Sequence, residues 1–348
     1  MALVNRALVV GINCYPAIGN LQGAEADAQD FYNWVTSPNG GGVDKANAKL
    51  ILSKPPASGK VRDALPDDTQ IKAFFRDVDD AANENNQNGD GLQAGERLWL
   101  FFSGHGFAPS FDRSALLVAN TSPTVPENFA CRLWADRLFQ GGWFKEVLLF
   151  QDACRNRFTA VDLMPPTLVS RDQPGTHRFY AQATQDGKLA LEKPDGTGKV
   201  RGVFTLTLME ALRGNARDPI SGDVTSARLM AYLQSNMRAK YTQQEQQNED
   251  YAQVPDVYAP VPFVVVPKAA GAVAAPGFPV RVSLAAANLP AVILDGSLQK
   301  IAETAAAQTW DLTLPIGLYQ LSAAGGLEKP FKVTGALKAD GSKERVDV

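Results

Sequence analysis

The chain of 348 residues contains only two histidines and three cysteines. An odd number of cysteines without a secretory signal argues against a disulfide framework, and the two distant histidines give no close zinc-ligand spacing. No apolar run reaches the length of about 18 residues that a transmembrane helix needs. The net charge of −3 gives no strong attraction to nucleic acid or to an anionic membrane. The sequence therefore predicts no metal site, no membrane contact and no nucleic-acid partner.

The N-terminus also lacks the features of a signal peptide. The apolar run Ala7 to Gly11 is too short for the apolar core of such a peptide, and no cleavage site of the A-x-A type follows it. This run is better explained as a buried strand close to the N-terminus. We therefore expect a cytoplasmic location.

Short apolar runs alternate with helical patterns over most of the chain. The predicted strands are 6–12, 48–53, 97–104, 145–153 and 177–184, and the predicted helices are 24–35, 68–85, 202–214 and 226–241. Continuous apolar strands that alternate with helices indicate an α/β fold with a mainly parallel sheet covered on both faces. In such sheets the chemistry lies at the carboxyl ends of the strands.

The composition changes after residue 266. Residues 267–277 are rich in Ala, Gly and Pro, which is typical of a linker. Short β-type segments separated by turn residues follow, and they predict a small all-β sandwich. The expected organisation is a first domain over 1–266, a linker over 267–277 and a β-sandwich accessory domain over 278–348.

Two reactive side chains follow strong strands. His105 lies between two glycines directly after the predicted strand 97–104, and Cys154 follows the apolar run "EVLLFQDA". Neighbouring parallel strands would present an imidazole and a thiol at the same edge of the sheet, where the imidazole can take the proton of the thiol. The N–H groups of Gly106 and Cys154 are candidates for an oxyanion hole.

The blocks "LWLFFSGHGF" and "VLLFQDACRN" resemble the two signature blocks of caspase-fold cysteine peptidases. The segment "RALVVGINCYPAIGNLQGAEADAQDF" resembles the first strand and helix of the metacaspase branch, in particular its bacterial members, the orthocaspases. The segments "FYAQATQDGKLALE" and "GVFTLTLMEALRG" resemble the small-subunit region of that branch. The spacing of 49 residues between His105 and Cys154 matches that of caspases, which is about 50 residues. The resemblance covers residues 6–266 and implies a six-stranded α/β/α sandwich with His105 and Cys154 as the catalytic dyad.

The resemblance also implies a preference for basic substrates. Aspartate-selective animal caspases carry an arginine two residues before the glycine of the first helix block, and this chain has Leu21 there. In the metacaspase branch two aspartates form an acidic S1 pocket, and they correspond to Asp27 and Asp152. Two carboxylates would bind the side chain of Arg or Lys at the P1 position of a protein or peptide substrate.

Metacaspases are often activated by calcium and by self-cleavage. The stretch 86–97 resembles an EF-hand loop only superficially, because Arg97 stands where the loop needs a glutamate. The sequence thus predicts no required cofactor. It is compatible with calcium activation but does not predict it. The segment after Cys154 is typical of a mobile loop, and Arg171 is its best candidate for self-cleavage.

The leading hypothesis is a cysteine endopeptidase that cleaves after Arg or Lys, in regulated proteolysis such as stress response, cell death or defence. One alternative is a caspase-like scaffold or signalling module, and another is a Cys–His hydrolase that acts on a non-peptide amide. A regulatory partner of the accessory domain is a further expectation. His177, Cys14 and Cys131 are interpreted as structural residues.

Overall fold

The computed structural model describes most of the chain. The described residues are 4–89, 91–110, 113–157, 163, 166, 177–218, 221–251, 254–268, 277–284, 289–296, 300–323, 327–333, 342 and 345–347.

Strands and helices alternate in the first 266 residues. The helices are α1 Ala24–Val35, α2 Asp68–Gln87, α3 Cys131–Gln140, α4 Val203–Glu210, α5 Ser226–Asn236 and α6 Gln243–Gln247. The strands are β1 Arg6–Gly11, β2 Ala48–Leu52, β3 Gly95–Ser103, β4 Gly106–Ser110, β5 Arg113–Leu117, β6 Asn128–Phe129, β7 Phe144–Asp152, β8 Asn156–Arg157, β9 His177–Gln182, β10 Glu192–Pro194, β11 Val200–Gly202, β12 Val224–Thr225, β13 Asp256–Tyr258 and β14 Val264–Val266.

Six of these strands form the central sheet, in the order β13-β9-β7-β3-β1-β2. Five of them run parallel, and β13 pairs with β9 in the antiparallel direction at one edge. This arrangement confirms the predicted mainly parallel, six-stranded sheet. The edge strand β13 has three residues and was absent from the sequence prediction, because so short a segment carries no usable periodicity.

Side chains of the central strands alternate between two apolar cores. Ala7, Trp99 and Phe101 face a core that includes residues of α1, α4 and α5. Leu8 and Leu100, each next to one of those residues in the chain, face a second core with residues of α2 and α3. The alternation follows from the period of two along a strand, and it explains why these strands are apolar throughout. The protein is therefore an α/β/α sandwich, as predicted.

The last third of the chain contains further strands. They are β15 Phe278–Ser283, β16 Leu289–Asp295, β17 Lys300–Ala307, β18 Thr309–Leu314, β19 Gly317–Ala323, β20 Leu327–Val333 and β21 Val346–Asp347. They form one sheet in the order β18-β15-β21 and a second in the order β17-β16-β19-β20, and residues of both sheets share one apolar core. Most of the predicted linker 267–277 lies outside the described residues. The domain boundaries therefore stay a prediction.

The strand β17 was missed by the sequence analysis. Its sequence, KIAETAAA, is rich in residues that favour helices. Pairing with β16 on the shared sheet overrides this local preference. No helix within the described residues is both long and apolar enough to cross a membrane.

Candidate active site

His105 and Cys154 follow neighbouring parallel strands at the same edge of the sheet. Strands β3 and β7 are paired in register, with Ser103 opposite Asp152. His105 lies two residues beyond Ser103, and Cys154 lies two residues beyond Asp152. The N–H of Gly104 donates to the carbonyl oxygen of Asp152 at 3.2 Å, so the two segments stay paired past the ends of the strands. The structure thus brings the predicted imidazole and thiol to one edge.

The imidazole of His105 contacts a backbone carbonyl group and an aromatic ring. Its Nε2 lies 3.0 Å from the carbonyl oxygen of Gly19. A carbonyl oxygen accepts hydrogen bonds and cannot donate them, so Nε2 carries the proton in this contact. The neutral ring then has Nδ1 as its basic nitrogen. The ring of Tyr15 packs against the imidazole, with 4.7 Å between the ring centroids.

The thiol of Cys154 contacts the backbone of Ala190. The N–H of Ala190 donates to Sγ at 3.4 Å. Burial raises the pKa of the thiol, and the carboxylates of Asp152 and Glu192 raise it further, whereas the N–H of Ala190 lowers it. The resting thiol is therefore protonated near neutral pH and needs a base. Within the described residues, His105 and Cys154 are not hydrogen-bonded to each other, which is common before a substrate binds.

Gly106 packs its backbone tightly against the segment that carries the thiol. A Cβ atom at this position would lie 2.7 Å from the Cβ of Ala153 and 2.8 Å from the carbonyl oxygen of Cys154. Only glycine fits such a close approach without a shift of the backbone. The two segments that carry the predicted oxyanion-hole amides, Gly106 and Cys154, are thus in contact.

The two predicted pocket carboxylates both lie close to Gly202. A Cβ at Gly202 would lie 2.0 Å from Oδ2 of Asp152 and 2.9 Å from Oδ2 of Asp27. Asp27 accepts a hydrogen bond from the N–H of Gly202 at 2.8 Å, and Asp152 accepts from the N–H of Thr205 at 3.0 Å and from its hydroxyl at 2.6 Å. Residues from α1, β7 and the start of α4 therefore form one acidic site.

Burial makes the charged form of both carboxyl groups costly. It raises the pKa of Asp27 to about 8, and the nearby carboxylate of Asp152 adds to this effect, while Arg201 and the N–H of Gly202 oppose it. Burial likewise raises the pKa of Asp152 to about 6, against the hydrogen bonds from Thr205. A cation that enters the site would stabilise the ionised carboxylates.

Arg201 is a residue of this site that the sequence analysis missed. Its Nε donates to Oδ1 of Asp27 at 2.5 Å, and its Nη2 donates to Asp30 at 3.0 Å. Arg213 also pairs with Asp30 at 2.5 Å. Asp27 is thus already paired with a cation of the chain itself. The sequence carries no signal for this pair, because 174 residues separate the two partners.

Glu192 is a second residue that the sequence analysis missed. Its two carboxylate oxygens accept from the N–H groups of Gln22 and Gly23 at 3.2 and 3.0 Å, directly before α1. This carboxylate raises the pKa of both Cys154 and Asp152 and so adds negative charge to the site. Glu192 ends the segment "FYAQATQDGKLALE", which resembles the small-subunit region of the metacaspase branch. Only the fold, however, brings its carboxylate to the backbone of Gln22.

The remaining candidates lie elsewhere. His177 starts β9 and stacks on Phe263, with 5.3 Å between the ring centroids, at the end of the sheet opposite to His105. Cys131 is buried at the start of α3, and Cys14 is partly exposed. Arg171 lies outside the described residues. No group of three or more His, Cys, Asp and Glu side chains in the described part of the chain could hold a metal ion.

Comparison with known proteins agrees with the architecture. A family model for the caspase domain matches residues 4–263. A probable protease from a Desulfuromonadales bacterium is 31% identical over 227 residues, which cover 60% of this chain and 26% of that protein. The chain thus corresponds to about a quarter of the length of that relative.

Two solved structures are similar in outline. Caspase-1 from Spodoptera frugiperda has a TM-score of 0.47 and 14% identity, and covers 76% of this chain and 92% of its own. A protein from Geobacter sulfurreducens has a TM-score of 0.42 and 14% identity, and covers 74% of this chain and 93% of its own. With a family model matched over residues 4–263, this chain belongs to the caspase-domain family of peptidases.

Proposed function

We propose that this protein is a cysteine endopeptidase that uses Cys154 and His105 and cleaves after Arg or Lys. The observation that carries the proposal is the register of β3 and β7, which end in Ser103 and Asp152 opposite each other. The imidazole and the thiol each follow two residues later, at one sheet edge. Membership in the caspase-domain family supports a cysteine peptidase.

The proposed reaction begins with transfer of the thiol proton to Nδ1 of His105. The thiolate sulfur attacks the scissile carbonyl carbon, and the N–H groups of Gly106 and Cys154 hold the resulting oxyanion. The imidazolium then protonates the leaving amine as the C–N bond breaks, which leaves an acyl-enzyme thioester. Water, deprotonated by the same imidazole, attacks this thioester and releases the acid and the thiol.

The acidic site around Gly202 supports selection of a basic P1 side chain. Arg201 already balances Asp27, so Asp152 is the carboxylate best suited to meet an incoming cation. Asp152 uses one oxygen, Oδ2, for its two hydrogen bonds to Thr205. The second oxygen is then the one proposed to accept from a guanidinium or an ammonium group, which binds carboxylates by charge-assisted hydrogen bonds.

A panel of fluorogenic peptides with Arg, Lys or Asp at P1 tests this proposal. We expect turnover of the Arg and Lys peptides and none of the Asp peptide. A folded protein that cleaves no peptide at all would favour the scaffold or the non-peptide hydrolase, and efficient cleavage after Asp would overturn the basic S1 pocket. Comparing new N-termini in cells with the active protein and with Cys154→Ala would then identify protein substrates.

The proposed peptidase is cytoplasmic and acts in regulated proteolysis. No cofactor enters the proposed reaction. Calcium activation is compatible with the family resemblance, and turnover measured with added calcium or with a chelator tests it directly.

Arg171 stays the proposed site of self-cleavage. The predicted loop around it follows Cys154 in the chain, and Arg171 has the basic P1 side chain that the pocket would select. We expect the purified chain to yield a fragment that ends at Arg171, and Arg171→Ala to lose that fragment. Mass spectrometry of both proteins checks this result, and an identical fragment pattern would exclude the site.

Removal of the residues after Pro267 should leave the chemistry intact. Such a chain keeps β14, whose Val265 and Val266 belong to the core with α4 and α5. It loses the ion pair between Arg228 on α5 and Asp295 on β16, but Arg228 keeps its hydrogen bond to the carbonyl oxygen of Arg217 at 3.2 Å. We expect a soluble chain with unchanged turnover of a short Arg peptide and altered activity on a protein substrate.

The Arg228–Asp295 pair also supplies the matched control for the truncation. Arg228→Gln in the full chain breaks the ion pair but keeps the accessory domain and any partner that it binds. If the truncated chain is insoluble or inactive on the short peptide while Arg228→Gln is active, the last strands are part of the catalytic unit. That result would contradict the proposed boundary.

A further inference from the structure

Tyr15, in the loop after β1, joins two backbone groups of the segment that carries His105. The tyrosine is fully buried. Its hydroxyl accepts a hydrogen bond from the N–H of His105 at 3.0 Å and donates to the carbonyl oxygen of Leu117 at 3.0 Å. The N–H of Leu117 in turn donates directly to the carbonyl oxygen of His105 at 2.8 Å.

This arrangement departs from an ordinary antiparallel pair. In such a pair two opposite residues exchange both of their N–H···O hydrogen bonds directly. Between His105 and Leu117 one exchange is direct, and the hydroxyl of Tyr15 is inserted into the other. The backbone of His105 is therefore fixed from both sides, by β5 and by the phenol.

Tyr15 also anchors the turn that contacts the imidazole. The N–H groups of Ile18 and Gly19 donate to the carbonyl oxygen of Tyr15 at 3.2 and 3.1 Å. The N–H of Tyr15 donates to Oδ1 of Asn20 at 2.7 Å. The same turn presents the carbonyl oxygen of Gly19 to Nε2 of His105 at 3.0 Å. One residue thus connects the backbone of the histidine with the group that fixes its tautomer.

Gly104 gives the hydroxyl the space that it occupies. A Cβ at Gly104 would lie 2.4 Å from Oη of Tyr15 and 3.0 Å from Cδ1 of Leu116. Burial raises the pKa of Tyr15 above its ordinary range, so its hydroxyl stays protonated and both donates and accepts. The glycine before His105 therefore has a physical role in this fold, which is to let the phenol reach the backbone.

We infer that Tyr15 is a positioning residue that holds His105 in place for proton transfer from Cys154, through its hydroxyl and through the turn that ends at Gly19. This inference rests on the proposed function of the dyad. It implies that loss of the hydroxyl lowers the rate of the chemical step and leaves substrate binding at the acidic site unchanged.

The test compares Tyr15→Phe with Tyr232→Phe in the full chain. The hydroxyl of Tyr232 on α5 also bridges two groups, because it accepts from Asn215 at 3.3 Å and donates to Glu210 at 3.4 Å. For a short Arg peptide, we expect Tyr15→Phe to lower kcat by about 10- to 100-fold, with KM changed less than about twofold, since small misplacements of a catalytic group have effects of this size. Tyr232→Phe should keep the wild-type kcat.

A second measurement follows the imidazole itself. The chain has two histidines, so ¹⁵N spectra of their side chains are simple to assign. In Cys154→Ala protein we expect His105 to be the Nε2–H tautomer. Adding Tyr15→Phe removes the acceptor of the backbone N–H of His105 and keeps the backbone hydrogen bonds of the turn, so the imidazole should move relative to the carbonyl oxygen of Gly19. We therefore expect a shift toward a mixture of tautomers for His105, while His177 is unchanged. This readout needs no activity.

Three outcomes separate the inference from the function on which it rests. Wild-type kcat in Tyr15→Phe, with Cys154→Ala inactive, overturns the positioning role alone. An unchanged His105 tautomer overturns it as well, even if Tyr15→Phe is less stable. Full activity of Cys154→Ala overturns the proposed function.

The contact between Gly104 and Tyr15 gives a further test. Gly104→Ala should lower the free energy of unfolding less in the Tyr15→Phe background than in the wild type, because its Cβ no longer meets the hydroxyl. Strictly additive effects of the two substitutions would count against the inference.

Discussion

Cys154→Ala should reduce hydrolysis of a short Arg peptide to the uncatalysed background, because it removes the nucleophile that forms the acyl-enzyme. His105→Ala should lower kcat by about 10²–10⁴-fold, the usual contribution of a positioned acid or base. The thiol depends on this base, since burial and the carboxylates of Asp152 and Glu192 raise its pKa. The two residues act as a unit, so the double variant should be no slower than Cys154→Ala.

The chain supplies matched controls for both substitutions. Cys14→Ala removes a partly exposed thiol, and His177→Gln removes an imidazole at the opposite end of the sheet. Both should keep wild-type activity, and circular dichroism should show that all four single variants are folded. Turnover by Cys154→Ala at the wild-type rate would end the assignment of the dyad.

Asp152→Asn should lower kcat/KM for basic substrates more selectively than any other substitution in the acidic site. It removes the charge of the carboxylate proposed to meet the P1 cation and keeps the shape of the side chain. Loss of a buried charge partner costs on the order of 2–5 kcal/mol, so kcat/KM for an Arg peptide should fall by about 30-fold or more. Steady-state kinetics with Arg, Lys and neutral P1 peptides measure this loss.

Asp27→Asn should have a different effect because Asp27 is paired with Arg201. The substitution leaves a buried guanidinium with Asp30 as its remaining carboxylate. Above about pH 8, where Asp27 is ionised, breaking this buried ion pair costs about 3–5 kcal/mol, and the contact with Asp30 reduces this cost. At about pH 9 (roughly one unit above the pKa of Asp27), we therefore expect a larger fall in the midpoint of thermal unfolding for Asp27→Asn than for Asp152→Asn. The opposite order would contradict the proposed division of roles.

The pH dependence follows from the raised pKa values of both carboxyl groups. The pKa of Asp152 is raised from 3.8 to about 6 and that of Asp27 to about 8. The ionised forms bind a cation, so KM for an Arg peptide should fall as the pH rises through this range. Both groups hold their protons more tightly in the folded chain than in the unfolded chain, so their contribution to stability is complete below about pH 4 and is lost as the pH rises through about 6 to 8.

Asp152→Asn should remove the part of this pH dependence that is centred near pH 6. Measurements of KM between pH 5 and pH 9 (roughly one unit beyond each pKa) for the wild type and Asp152→Asn check this expectation. A KM that is independent of pH in the wild type would show that the P1 side chain does not meet these carboxyl groups.

The strand ends and the candidate dyad could be predicted from the sequence because they depend on local patterns. Continuous apolar runs define β3 and β7, and the residues directly after them must lie at the carboxyl edge of a parallel sheet. His105 and Cys154 stand at those positions. The same reasoning fails for β17, where an alanine-rich segment with helical preference pairs as a strand, and for the short edge strand β13.

Local sequence patterns and the family resemblance were enough to predict the α/β class, the common edge for His105 and Cys154, and two candidate carboxylates at Asp27 and Asp152. The partners of these side chains became visible only in the folded chain. The pairing of Asp27 with Arg201 joins residues that are 174 positions apart, and the hydroxyl of Tyr15 reaches Leu117 across 102 positions. A polar side chain in the sequence carries no information about its distant partner, because that partner is selected by the packing of whole elements and by the need of each buried polar group for a hydrogen bond.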